Sequence, residues 1–231
     1  MGVELEARFG HASGVGHDEK KREIPVARLD AGRKASEPCT IVIFGASGDL
    51  TERKLIPALY HLFSDGQLPE QFRVIGFARR DKTDESWRKE LKAGVEEHSR
   101  PPKREAAKWE AFEKNIIYHR GDLTDAAAYQ SLVKRLEDFE DVALRENLVF
   151  YLAISPTLFA ETVDQLHDAG LLKRQKDGAG SWQRLVVEKP FGQDLASARE
   201  LNAHLVKHVR ERQIFRIDHY LGKETVQNIM M

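Results

Sequence analysis

Near the end of the sequence, Phe215-Arg216-Ile217-Asp218-His219-Tyr220-Leu221-Gly222-Lys223-Glu224 gathers an acid, an imidazole, a phenol and an ammonium group within six positions. His219, Tyr220 and Lys223 can donate to anionic or hydroxyl oxygens, and Asp218 can orient another base, a mixture that suits a phosphorylated polyol. Upstream, Val186-Val187-Glu188-Lys189-Pro190-Phe191-Gly192 ends an apolar run in a charged pair. Lys189 at such an edge can reach a phosphate or a substrate hydroxyl; the alternative is a surface ion pair made by Glu188.

Two further segments point to a dinucleotide. The run Thr40 to Phe44 leads into Gly45-Ala46-Ser47-Gly48-Asp49-Leu50 and then into an amphipathic segment. A strand-to-helix turn of this kind offers backbone N–H groups and a helix N-terminus to a pyrophosphate, and glycines keep side chains out of its way. The spacing G-x-G-x-x-G would need glycines where Ser47 and Leu50 stand, so a tight turn without a ligand stays open as the second reading. The next strand candidate ends in Gly76-Phe77-Ala78-Arg79-Arg80, near where NAD-specific folds carry an acid for the ribose 2′-hydroxyl. Two arginines there favour the 2′-phosphate of NADP, with Arg79 first after the strand. A solvated basic strand end is the alternative, and Asp81 following directly counts against the coenzyme reading.

These segments must be positioned by a scaffold that is legible in the hydropathy pattern. From Thr40 onward, short apolar runs alternate with longer amphipathic ones, which predicts βαβ units and a doubly wound parallel sheet of the α/β class. Strands are expected at 40–44, 73–78, 116–119, 148–152, 185–187 and 213–216. Helices are expected at 50–65, 84–98 with a further piece to 113, 125–138, 156–169 and 195–209. Gly121-Asp122 and Tyr151-Leu152-Ala153-Ile154-Ser155-Pro156 end the third and fourth strands on the edge that carries the glycine turn.

Composition narrows the classes. The 231 residues carry 36 Lys+Arg against 37 Asp+Glu, a net charge of −1, so no global basic field recommends nucleic acid or an anionic membrane. No apolar run approaches the roughly 20 residues of a membrane span. Residues 1–37 hold seven acidic and seven basic side chains and five glycines with no hydrophobic periodicity, which predicts a disordered arm. One cysteine, Cys39, excludes an internal disulfide; with no apolar leader segment at the start, a cytoplasmic location is expected. His204 and His208 have the i, i+4 spacing of a zinc pair. The intervening Leu205-Val206-Lys207 supplies no acid, so they are read as polar residues of one helix face and no metal is expected.

Taken in order, IVIFGASGDLTERKLIPALYHLF, GFARR, YLAISP, VVEKPFG and FRIDHYLGKETVQNI resemble the N-terminal coenzyme-binding part of the glucose-6-phosphate dehydrogenase family over residues 40–231. The RIDHYLGKE run is the most specific of them. The resemblance implies a Rossmann-like NADP-binding domain at 38–212, the start of a glucose 6-phosphate-binding domain at 213–231, and oxidation of glucose 6-phosphate to 6-phosphogluconolactone. It implies that Gly45, Ala46, Ser47, Gly48, Asp49 and Leu50 hold the pyrophosphate, Arg79 the 2′-phosphate, and that Gly121 and Asp122 border the coenzyme. Lys189 would contact both coenzyme and sugar, His219 and Tyr220 the sugar phosphate, and Lys223 the hydroxyls near the reacting carbon. Asp218 would hold the general-base histidine.

In the family that histidine lies well beyond the RIDHYLGKE run, in a large antiparallel sheet domain that also forms the homo-oligomer contact. This sequence ends twelve residues after His219, and none of its nine histidines stands in the corresponding position, so a fragment is expected. Phe159 replaces a tyrosine of many members, and Arg174 to Gly180 reads as a small loop insertion. Two other functions compete with the enzyme. A stand-alone NADP-binding module would bind without turnover. A short-chain reductase would carry Tyr-x-x-x-Lys, a pattern that Tyr220 and Lys223, three apart, do not meet.

Overall fold

The computed structural model describes residues 37–98, 105–176 and 180–217. Within them, six strands form one parallel sheet: β1 (Cys39–Phe44), β2 (Phe72–Ala78), β3 (Ile116–Arg120), β4 (Leu148–Leu152), β5 (Gln183–Glu188) and β6 (Ile214–Ile217). Their spatial order is β3-β2-β1-β4-β5-β6, with every neighbouring pair parallel. This is a Rossmann-like, doubly wound sheet. The chain reverses its direction of growth between β1 and β4, which opens a crevice at the carboxyl ends of those strands.

The sequence makes such a sheet because its strands are apolar on both faces. Every residue of β1 and of β4 is buried, as expected where helices cover both sides of a parallel sheet. On one face Ile41 and Ile43 meet α1 (Ile56–Ser64), α2 (Asp84–His98) and α3 (Ala106–Glu113) through Ile56, Leu59, Trp87, Leu91, Trp109 and Phe112. On the other, Val42 and Phe44 meet α4 (Ala126–Glu137), α6 (Phe159–Asp168) and α7 (Leu195–His208). A short α5 (Val142–Glu146) leads into β4. It escapes the hydropathy pattern because five residues are too few to show a helical period.

Side-chain caps set several helix starts. Asp125 accepts from the Ala127 N–H at 2.9 Å and Asp141 from the Ala143 N–H at 2.8 Å. Asp194 and Ser197 form a reciprocal capping box at α7. Cys39 is buried, and burial pushes its thiol pKa up to about 12, so it stays protonated and unreactive at neutral pH.

The sheet continues through Ile217. Residues 214–217, which the resemblance groups with a following domain, are therefore hydrogen-bonded to β5 in this one. Among the described residues no helix is long and apolar enough to cross a membrane.

Candidate functional site

The glycine turn leaves β1 at the switch point, between the ends of β2 and β4. Gly45 has φ +88°, a left-handed conformation, and a Cβ placed there would lie 2.1 Å from the Ala153 carbonyl oxygen beyond β4. Only glycine satisfies both constraints. The turn is held from each side: Gly45 and Ala46 N–H donate to the Phe77 carbonyl at 3.0 and 3.2 Å, and the Ala153 N–H donates to the Phe44 carbonyl at 2.9 Å. Inside it, Gly48 N–H and the buried Thr51 hydroxyl both donate to the Gly45 carbonyl, at 2.9 and 3.2 Å.

Gly48 and Asp49 are exposed, and helix begins at Asp49. Helix geometry leaves its first-turn N–H groups without intrahelical acceptors, the place where a helix can hold an anion. A π-helical turn at Thr51–Leu55 then delivers the chain into α1, a departure from α geometry that is common at functional sites.

Trp87, on α2, fixes this turn from below. Its indole is 1% exposed, and its Nε1 donates to the Ala46 carbonyl at 3.3 Å. The ring fits because β2 carries Gly76: a Cβ there would lie 2.1 Å from the indole and 2.7 Å from the Ala46 Cβ. Glycine inside a strand signals such close approaches. The signal was present in GFARR, but the partner eleven residues on was not legible.

Beyond β2, Arg79 and Arg80 are both exposed. Their backbone is tied down by Tyr118, whose hydroxyl reaches the Ala78 and Arg80 carbonyls at 3.3 and 2.7 Å. Asp81, which counts against a phosphate here when read from sequence, pairs with Arg120 at 3.1 Å. Its charge is thereby met from β3.

Gly121 packs under Phe77, where a Cβ would lie 2.5 Å from the ring. Asp122 accepts from the Thr124 N–H and hydroxyl at 3.0 and 2.9 Å. Those bonds, with a smaller contribution from the Arg79 charge, hold its carboxyl below the usual range.

On the far side of β1, Lys189 is exposed at the end of β5. Its N–H donates to the Ile217 carbonyl at 3.4 Å, and the Lys189–Pro190 peptide is cis. Glu188 accepts a hydrogen bond from the buried Tyr151 hydroxyl of β4. Burial first, and the Glu188 carboxylate second, raise the Tyr151 pKa, so it remains a donor and holds the strand end beside Lys189. Glu188, weighed in the sequence as one half of a surface ion pair, accepts a hydrogen bond from this tyrosine hydroxyl in the structure. Phe159, at the start of α6, is buried in the second core.

This edge agrees with what the chain resembles. Residues 42–228 match the family model "Glucose-6-phosphate dehydrogenase, NAD binding domain". The chain belongs to the glucose-6-phosphate dehydrogenase family. It is 44% identical over 194 residues to glucose-6-phosphate 1-dehydrogenase of Chlamydia pneumoniae, covering 84% of this chain and 38% of that relative. Identity is also 44% over 194 residues to glucose-6-phosphate 1-dehydrogenase 2 of Mycobacterium tuberculosis H37Rv, covering 84% and 37%.

A solved glucose-6-phosphate dehydrogenase in complex with its substrate glucose-6-phosphate superimposes with TM-score 0.71 at 37% identity, over 85% of this chain and 40% of that one. The enzyme from Mycobacterium avium gives 0.67 at 32%, over 80% and 37%. The chain thus spans less than half the length of the glucose-6-phosphate dehydrogenases it matches.

Within the glucose-6-phosphate dehydrogenase pattern, the structure brings Gly45 to Leu50, Arg79, Gly121, Asp122 and Lys189 to one sheet edge. Asp218, His219, Tyr220 and Lys223 lie outside the described residues, as do Asp177, Gly178 and Ala179 of the expected insertion. Trp87 and Tyr118 support the edge and are not singled out by the sequence, while Thr51, Gly76 and Tyr151 stand in the quoted motifs without the supporting contacts being legible. His204 and His208 do meet an acid after all. It comes from α6, where the Asp164 carboxylate lies 2.8 Å from each of their Nε2 atoms.

Proposed function

We propose that this chain is the NADP-binding part, and one side of the sugar site, of an enzyme that oxidises glucose 6-phosphate to 6-phosphogluconolactone. The observation that carries the coenzyme choice is the strand end after β2, where Arg79 and Arg80 are exposed and Asp81 is paired with Arg120. A dinucleotide fits the edge because Gly45 and Gly48 add no side chain to the turn and the first helical turn presents N–H groups. Arg79 after β2 would hold its 2′-phosphate end, and Lys189 after β5 would lie at its nicotinamide end. Bound there, NADP supplies the hydride acceptor.

The residues of this chain do the rest. Arg79 grips the 2′-phosphate, and the turn from Gly45 to Leu50 holds the pyrophosphate. Lys189 sits where nicotinamide and sugar meet. His219 and Tyr220 bind the sugar phosphate, Lys223 binds hydroxyls near the anomeric carbon, and Asp218 orients the histidine that takes the anomeric hydroxyl proton as hydride leaves the same carbon. The solved relative described in complex with glucose-6-phosphate supports the sugar reading.

Near-ultraviolet absorbance of NADPH, followed with glucose 6-phosphate and NADP, tests it. A chain that turns over carries a complete site. Coenzyme binding without NADPH formation leaves it the coenzyme-binding part, the outcome expected if the general base lies in another segment. Absence of coenzyme binding contradicts the proposal.

A further inference from the structure

We propose that Asp164, His204 and His208 form a site for one divalent transition-metal ion of the zinc class, which clamps α6 to α7 at the sheet edge opposite the coenzyme crevice. The helices of a parallel crossover run antiparallel to the strands, so His204 and His208, in the last turns of α7, lie toward the amino end of β6, and Asp164 meets them from midway along α6. The cluster is therefore remote from Gly45, Arg79 and Lys189, and the inference does not rest on the proposed enzymatic activity.

Three donor atoms converge there. Asp164 Oδ1 is 2.8 Å from His204 Nε2 and 2.8 Å from His208 Nε2, and all three atoms lie within 4.8 Å of one another. The imidazoles are one helical turn apart on α7, the arrangement by which an i, i+4 histidine pair grips a single ion. The side chains are 43%, 27% and 18% exposed in the order Asp164, His204, His208, so an ion can enter while its ligands stay packed.

Zinc bonds of about 2.1 Å at tetrahedral angles put ligand atoms roughly 3.4 Å apart. The Asp164 oxygen would move ~0.6 Å out from each Nε2, a small rotation for an aspartate at this exposure, with the two imidazoles adjusting their own separation to the same span. Two protein nitrogens and one oxygen leave a fourth position for water.

His167 supports the site. Its ring centroid is 4.5 Å from that of His208, and its Nδ1 donates to the Leu172 carbonyl at 3.3 Å. That bond fixes the ring and its tautomer, so His167 acts as a positioning residue that holds the His208 imidazole in place.

Zinc titration of the chain against a chromophoric chelator tests this, with Asp164→Asn and His208→Gln as near-isosteric variants. The unmutated chain is expected to take up one zinc at micromolar concentration that each variant loses, and zinc should raise the unfolding midpoint of the unmutated chain alone. His167→Ala should weaken the same zinc by about 10–100-fold. Equal uptake by the variants would place the metal elsewhere and overturn the proposal; so would no uptake at all. Should the variants not fold, cobalt(II) in the unmutated chain decides. An intense visible band from tetrahedral nitrogen and oxygen ligation supports the site, and its absence overturns it.

Discussion

A Gly45→Ala chain is expected to lose about 3 kcal/mol of stability and its nucleotide binding together. Two costs add at this residue. The new Cβ would sit 2.1 Å from the Ala153 carbonyl oxygen, a backbone atom that cannot swing away, and φ +88° is a conformation that an alanine adopts only with strain. Overpacking and a left-handed non-glycine residue each cost roughly 1–3 kcal/mol. Relief requires the turn to part from the end of β4, which moves the N–H groups that would hold the pyrophosphate.

Gly48 provides the contrast within the same turn. A Cβ there would meet only the Gly45 carbonyl, at 3.1 Å, so Gly48→Ala should cost under about 1 kcal/mol. Urea unfolding and NADP titration of both variants read the difference. An unchanged midpoint in Gly45→Ala contradicts the packing described at the switch point.

Trp87→Ala is expected to cost about 3–5 kcal/mol, the range for truncating a fully buried aromatic. Against a total stability of roughly 5–15 kcal/mol that is a severe loss. The indole fills the space above Gly76 and packs against Tyr118 at 5.4 Å between ring centroids. Its loss opens a cavity directly beneath the phosphate turn and leaves the Ala46 carbonyl without its indole donor.

Trp87→Phe keeps an aromatic ring in the core but removes the donor and part of the ring volume, so its unfolding midpoint should fall between those of the unmutated and alanine chains. Weaker nucleotide binding in this variant would report that the Trp87 side chain supports the phosphate turn. Equal midpoints for the unmutated and Trp87→Ala chains would contradict the role given to this side chain.

What could be read from the sequence follows from how local each signal is. β4 begins and ends where its apolar run does, and β1 starts one residue earlier than expected, at Cys39, because the run TIVIF is continuous and bounded by a glycine turn. The turn at Gly45 and the arginines after Gly76 are short motifs read within a few residues. By contrast, Trp87 meets Ala46, Tyr151 meets Glu188 and Asp164 meets His204 across about forty residues of chain.

Hydropathy periods fix which side of an element is buried, but they carry no information about which polar atom on a distant element it will face. The order of strands is another such non-local property. The alternation of elements predicted a doubly wound sheet, while the placement of β1 between β2 and β4 had to come from the fold. Asp81 shows the same limit in reverse: beside Arg79 in sequence it weakens a phosphate site, and in space it is engaged by Arg120.

The most direct test of the account is calorimetric titration of this chain with NADP and with NAD, repeated on Arg79→Ala. A charge-assisted contact to the 2′-phosphate is worth about 1.5–3 kcal/mol, so NADP should bind roughly 10–100-fold more tightly than NAD, and the variant should lose that margin while its NAD affinity is unchanged. Equal binding of the two coenzymes by the unmutated chain would contradict the assignment of the strand end after β2 as the site that selects NADP.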